Sequence, residues 1–291
     1  MSSDVAQYNG STKNNLTNIK VKSANWHFTS ICNYRCTFCS TQKLEGDLRS
    51  IDLAKHTLFH LERLGIEKIN FVGGEPLCNL LIYDIVKLSK EMGFIVSIVT
   101  NGALLNKKSI QKLTPYVDWI GLSVDSVSNE IEAKLGRGQG NHVTHALEIA
   151  PIIRKCGIKL KINTTVTKLN VKEDMSPLIK KFQPDRWKVF QFMHIPGQND
   201  NCVDSLAITN KEFETFKKRH YNVTLKNGIK PVFESEEMML ESYLMISPSG
   251  KIFMNNKFPH EEYDISTMTL EKLKKIMNTD MYINRGALYK W

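Results

Sequence analysis

Three cysteines within eight residues, Cys32, Cys36 and Cys39, form the densest set of metal-ligating groups in this chain. They stand in Cys32-Asn33-Tyr34-Arg35-Cys36-Thr37-Phe38-Cys39, directly after a run with strand character. Thiolates are soft ligands that suit iron–sulfur clusters and zinc. A C-x₃-C-x₂-C triplet on one loop can place three thiolates around a four-iron cubane, which ordinarily takes four cysteines. No fourth cysteine lies nearby, so one iron would stay open to another ligand. The alternative is a zinc site with His27 as fourth ligand, against which the asymmetric spacing of the thiols weighs. Cys78, Cys156 and Cys202 are scattered and are expected to be free thiols, mostly buried and inert.

A second set of candidates comes from the elements that must position that loop. From about residue 22 to about residue 193, short β-branched runs alternate with amphipathic stretches. Strands are expected at 21–29, 68–72, 94–100, 118–124, 159–167 and 186–193. Between them, residues 51–65 place Leu53, Leu58, Leu61 and Leu64 near helical spacing and stop at Gly65. Six strands alternating with helices imply an α/β fold with a parallel sheet. Six units are too few for a closed eight-fold barrel, so a partial (β/α)6 TIM-like barrel is expected.

Side chains alternate across a strand. Lys68 and Asn70 therefore share a face, as do Lys159, Lys161, Asn163 and Thr165, Arg186 and Lys188, and Asn25, His27 and Thr29. A closed barrel fills its interior with Val, Ile and Leu. Buried lysines are costly unless paired, so cations from three strands on one face point to an anionic ligand in the lumen. The competing reading leaves those lysines at strand ends in water.

After Gly197 the pattern changes. A loop precedes a helix opened by Thr209 and Glu212 at capping-box spacing. A hairpin is expected around the Pro-Ser-Gly turn at 248–250, then a helix near 270–277, and the chain closes on RGALYKW. The expected organisation is a disordered tail over 1–20, a barrel over 21–195, and an extension over 196–291 that completes the substrate site.

Composition bounds the function. The 291 residues are 42% hydrophobic and 24% charged, as in a globular protein with a sizeable core. No apolar run approaches the ~20 residues of a membrane span, and the polar start, MSSDVAQYNGSTKNNLTN, lacks the apolar stretch of a signal peptide. A cytoplasmic protein with no membrane partner is expected. Six cysteines without an export signal favour metal binding over disulfides. The net charge of +9 would suit nucleic acid, but its basic residues are not gathered in one arm or helix, and no such partner is expected.

From residue 25 to 191 the chain resembles the radical S-adenosylmethionine (SAM) superfamily, with CxxxCxxC after the first strand and Gly73-Gly74-Glu75-Pro76 after the second. The resemblance implies a [4Fe-4S] cluster on Cys32, Cys36 and Cys39 whose open iron binds the amino and carboxylate groups of SAM. Electron transfer into the sulfonium then releases a 5′-deoxyadenosyl radical. Cofactor contacts are implied at Tyr34 and Phe38, at Gly73 and Gly74, where the backbone could approach the SAM amino group, and at Glu75, which shapes that loop. Asn101 and Ser123 match contacts to ribose and carboxylate, although either could cap a helix. Arg137 would pair with the SAM carboxylate, or simply belong to a mobile glycine loop.

NWHFTSICNYRCTFC, EKINFVGGEP, VSIVTNGALL, GRGQGNH, KINTTV, NVKEDM and RWKVFQ, in that order, resemble the viperin family more closely, and the likeness continues through ESYL to RGALYKW. It implies a dehydratase that converts a ribonucleoside triphosphate, CTP first and UTP next, to its 3′-deoxy-3′,4′-didehydro form, an antiviral chain terminator. The 4′ hydrogen would be abstracted and the 3′ hydroxyl lost as water, with one electron drawn from a donor such as flavodoxin or ferredoxin. Lys68, Lys161 and Lys188 match phosphate-binding positions, supported by Arg186. Asn163 matches a substrate contact and Asn25 a position near the base. Tyr243 matches an active-site tyrosine able to donate a proton or hydrogen atom, and Arg285 would close over the nucleotide. Val72 and Asn255-Asn256 depart from the animal proteins, which bears on nucleotide choice, and the animal membrane-binding helix has no counterpart here.

Two rivals remain. Many radical SAM enzymes that act on peptides or cofactor precursors carry a second cluster on C-terminal cysteines, and no cysteine follows Cys202. A zinc-stabilised interaction module would be colourless, and any nucleic-acid binding by it would fall steeply with salt.

Overall fold

The computed structural model describes residues 21–289 and 291; the expected tail over 1–20 lies outside them. Ten strands form one sheet in the order β10-β9-β8-β1-β2-β3-β4-β5-β6-β7. The six strands expected from the sequence are β1 (Ser23–Thr29), β2 (Lys68–Gly73), β3 (Ile95–Thr100), β4 (Trp119–Ser123), β5 (Lys159–Val166) and β6 (Arg186–Gln191). They pair in parallel, each with its successor. The helices that cross between them include α1 (Ile51–Arg63), whose N-terminus is capped by the Ser50 side chain and which Gly65 follows at φ +75°.

The C-terminal extension continues this sheet. β7 (Val232–Glu234) lies parallel beside β6, and β8 (Leu244–Ile246) lies parallel beside β1. β9 (Ile252–Phe253) returns antiparallel to β8 across the expected hairpin, and β10 (Glu262–Tyr263) pairs with β9. The capping box of Thr209 and Glu212 opens the helix Asn210–His220.

Strand parity divides the molecule. Trp26, Phe71, Ile120, Leu160, Ile162 and Trp187 are buried in the main apolar core with the helices, and burial of side chains this size contributes about 1.5–3 kcal/mol each. The opposite positions line a cavity. Thr29, Lys159 and Arg186 share these faces without lining it; Lys159 opens β5, is exposed, and rests its ammonium 5.1 Å over the Trp119 ring. Of the scattered cysteines only Cys202 is buried; Cys78 and Cys156 are half-buried, because both lie at the ends of outer-layer helices rather than beneath them. Among the described residues no helix is long and apolar enough to cross a membrane.

Candidate active site

A cavity of about 1190 Å³ runs from the cysteine loop to the lysine-bearing strands. All three loop cysteines line it. The Cys36 thiol is pushed up to about 12 by burial, opposed by Arg137, and Cys39 and Cys32 raise it further, so the three sulfurs lie within one another's field. The loop is clamped from the side: Arg35 N–H donates to the Gly136 carbonyl (3.3 Å) and Thr37 N–H to that of Leu135 (3.0 Å). A Cβ on Gly136, at φ +82°, would stand 2.1 Å from the Arg35 oxygen.

These thiols suit a cubane, which spreads its ligands over separate irons. His27 is buried against Phe253, and burial, then His260, lowers it to about 3.

Gly73 and Gly74 serve a close approach within the protein itself. A Cβ at either would fall 2.3 Å from the Thr29 oxygen or 2.2 Å from that of Ile31. The missing side chains thus let this turn seat against the stem of the cysteine loop, where Gly74 and Glu75 N–H groups donate at 2.7 Å. The buried Glu75 carboxylate accepts from Leu77 N–H (3.1 Å), the Thr100 hydroxyl (2.6 Å) and Asn101 N–H (2.8 Å). Asn101 in turn donates to the Asn33 side chain (2.8 Å), joining β3 to the cysteine loop.

Arg137 is largely buried and paired. It bonds Asp125 and lies 3.8 Å from Glu132, with its guanidinium 5.2 Å over Phe38. Burial opposes its charge, yet Asp125, Cys36 and Glu132 hold its pKa above the ordinary value. Tyr34 lies 3.5 Å from His142 Nδ1, whose other nitrogen meets the Ser123 carbonyl at 2.8 Å.

At the far end the cations converge. Lys68 is 1% exposed. It donates to the Tyr289 hydroxyl (2.5 Å) and sits among Trp119, Tyr289 and Trp291, 4.8–5.2 Å from each ring. Burial, then Lys161 and its cationic neighbours, lowers its pKa to about 5. Lys161 crosses Gly121, where a Cβ would stand 2.7 Å from its Cε. Burial, then Lys188 and Arg186, brings Lys161 to about 7. Lys188, lowered to about 8 mainly by burial, pairs with Glu234 and donates to Tyr243 (3.2 Å).

Arg186 stands behind this group, donating to the Gly286 carbonyl (2.8 Å) under the Tyr289 ring. Arg285, expected as a closing residue, is buried and anchored on the Ser242 carbonyl, because its guanidinium stacks 3.6 Å from the Tyr243 ring. Asn70 donates to Asn25 (3.0 Å), and the buried Asn70 and Asn163 Oδ1 atoms accept nothing. Such orphans are rare and face a cavity able to supply a donor. Sequence reasoning missed Asp125, Glu132, Glu234, Trp119 and Tyr289. Only Tyr289 lay in a quoted motif, RGALYKW.

The Radical SAM superfamily model matches residues 26–182. A protein named S-adenosylmethionine-dependent nucleotide dehydratase, from Thermoplasmatales archaeon (strain ISO4-H5), is 35% identical over 272 residues, covering 94% of this chain and 97% of that one. The chain belongs to the viperin family of radical SAM enzymes. A viperin from Danio rerio, named S-adenosylmethionine-dependent nucleotide dehydratase RSAD2, is 32% identical, covering 92% of this chain and 78% of its own. Among solved structures, SuiB of Streptococcus suis bound to S-adenosylmethionine superposes with a TM-score of 0.65 at 15% identity, covering 91% of this chain and 67% of that one. At that identity the likeness concerns the fold alone. Membership makes this viperin an enzyme, with a [4Fe-4S] cluster and SAM as its cofactors.

Proposed function

We propose that this viperin dehydrates a ribonucleoside triphosphate, CTP before UTP, to the 3′-deoxy-3′,4′-didehydro nucleotide, an antiviral chain terminator. The observation that carries this reading is the convergence of Lys68, Lys161 and Lys188 from three strands in one cavity with the cysteine loop at its other end. A triphosphate supplies the anionic charge these lysines lack, through charge-assisted bonds. The names of the relatives support a nucleotide as substrate.

Cys32, Cys36 and Cys39 would hold the cluster, and Arg137, Asn101, Ser123 and the turn at Gly73-Gly74-Glu75 would border SAM. Cluster and SAM together supply a carbon radical that takes one substrate hydrogen. The lysines orient the triphosphate so that the ribose lies between them and the cysteine loop. Asn25, Asn70 and Asn163 line the same lumen and offer hydrogen-bonding groups to sugar or base. Tyr243, whose phenol is held above its ordinary pKa by burial and then Glu234, stays protonated and can supply the hydrogen that leaves with the 3′ hydroxyl. The remaining electron comes from a one-electron donor such as flavodoxin or ferredoxin.

The test is a panel of CTP, UTP, GTP and ATP with reduced, reconstituted enzyme. One of them, CTP first, is expected to accelerate 5′-deoxyadenosine formation and to yield a product lighter by one water. No stimulation by any of the four would sink the dehydratase reading.

A further inference from the structure

Glu234 belongs to no motif, yet it sits at the centre of the lysine end. It closes β7, in register with Phe190 of β6, and is completely buried. One carboxylate oxygen pairs with the Lys188 ammonium; the other accepts the Tyr243 hydroxyl. Lys188 also donates to the Tyr243 oxygen at 3.2 Å, which closes a triangle. Arg285 stacks on the Tyr243 ring at 3.6 Å and keeps the phenol from swinging away.

A phenol has one proton and an ammonium has three. In the free site the phenol proton lies toward Glu234, from which it must turn to reach the leaving hydroxyl, while Lys188 pairs with Glu234, donates to the phenol oxygen and keeps a further N–H for an incoming oxygen. The charged and titratable groups around Tyr243 are Glu234 from β7, Lys188 and Arg186 from β6, and Arg285 and Tyr289 from the C-terminal segment, with Lys161 of β5 facing Glu234. A phosphate oxygen reaching Lys188 must compete with this carboxylate.

We propose that Glu234 is a positioning residue that fixes the Tyr243 hydroxyl and competes with the incoming triphosphate for Lys188. The proposal rests on the dehydratase reading above and adds to it a cost built into substrate binding. Positioning of Tyr243 favours turnover, whereas competition for Lys188 opposes binding. Removing the charge at Glu234 therefore moves the two kinetic constants in the same numerical direction with opposite benefit.

Glu234→Gln keeps the size and an acceptor oxygen but removes the charge. In the reconstituted holoenzyme, KM for CTP is expected to fall about fivefold and kcat about tenfold, a split that loss of structure alone does not give. In a Tyr243→Phe background the same substitution is expected to change kcat by less than about twofold, since the effect runs through the phenol. A readout free of turnover is the ultraviolet titration of Tyr243, identified as the signal that Tyr243→Phe removes. Its phenolate should appear at lower pH in Glu234→Gln and at higher pH in Lys188→Gln, which leaves the carboxylate unbalanced.

A rise in KM alongside the fall in kcat, or a phenol that titrates as in the wild type in both variants, would overturn the proposal. If no triphosphate is turned over but the phenol still shifts in both directions, the positioning of Tyr243 stands and the dehydratase reading falls.

Discussion

The two ends of the cavity handle charge in opposite ways. At the cysteine end Arg137 is matched by Asp125 and Glu132, and Glu75 accepts three hydrogen bonds. At the lysine end Lys161, Arg186, Lys188 and Arg285 share the single carboxylate of Glu234, Lys68 lies among aromatic rings, and burial lowers the pKa of the three lysines. The first end sets two carboxylates of its own against its arginine and so is preorganised. The second is held in an electrostatically expensive arrangement that an anion relieves. On the function proposed above, the first end would suit a resident cofactor and the second a passing polyanion.

The largest expected effect separates the two ends outright. Cys36→Ser should abolish the absorbance near 400 nm and reduce deoxyadenosine formation below detection, because an incomplete thiolate set no longer holds the cluster. Binding of CTP, measured by calorimetry, should stay within about twofold of the wild type if the lysine end is independent. A parallel collapse of CTP affinity would break the comparison.

The converse substitution is Lys161→Ala. It should weaken CTP binding about thirtyfold, in line with about 2 kcal/mol for a charge-assisted hydrogen bond. The cluster absorbance should persist, since Lys161 lies on β5 away from the cysteine loop. An unchanged dissociation constant would remove Lys161 from the phosphate site.

Proton linkage gives the next largest effect. In the free site Lys161 and Lys188 sit near about 7 and about 8. A bound triphosphate raises both toward the ordinary lysine value, so between those limits the complex holds more protons than the free protein. Binding at pH 8 should therefore take up on the order of one proton, and affinity should fall about tenfold per pH unit around pH 8. Calorimetry in buffers of different ionisation enthalpy measures the uptake directly. Net release of protons would mean that the lysines are already charged.

How far each end was legible follows from the range of the interactions that build it. Three thiols on one loop have their spacing fixed by the chain itself, so a motif was enough. The lysines were legible through the period-two alternation of β2, β5 and β6. Glu234 was not: β7 is three residues long, too short to show a period, and joins the sheet through pairing with β6. Asp125 and Glu132 reach Arg137 across a turn that no spacing rule identifies. Gly73 and Gly74 were legible as a close approach, but their packing against the backbone of residues 29–31 was not, because only the fold brings that segment near.

Lys159 marks the limit of parity, and the smallest expected effect tests it. It shares a strand face with Lys161 but opens β5 at the protein surface, where water screens its charge. Its contact with the Trp119 ring is that of an exposed cation–π pair, worth about 0.5 kcal/mol. Trp119 also borders Lys68 at 5.0 Å, and Lys159 lowers the Lys68 pKa, so removing it lets Lys68 gain charge slightly more easily. Loss of one distant cation and easier charging of Lys68 act in opposite directions on a triphosphate. Lys159→Ala should accordingly shift CTP affinity by less than about threefold and stability to denaturant by about 0.5 kcal/mol. A loss as large as that of Lys161→Ala would mean that strand face alone, and not burial in the lumen, selects the phosphate ligands.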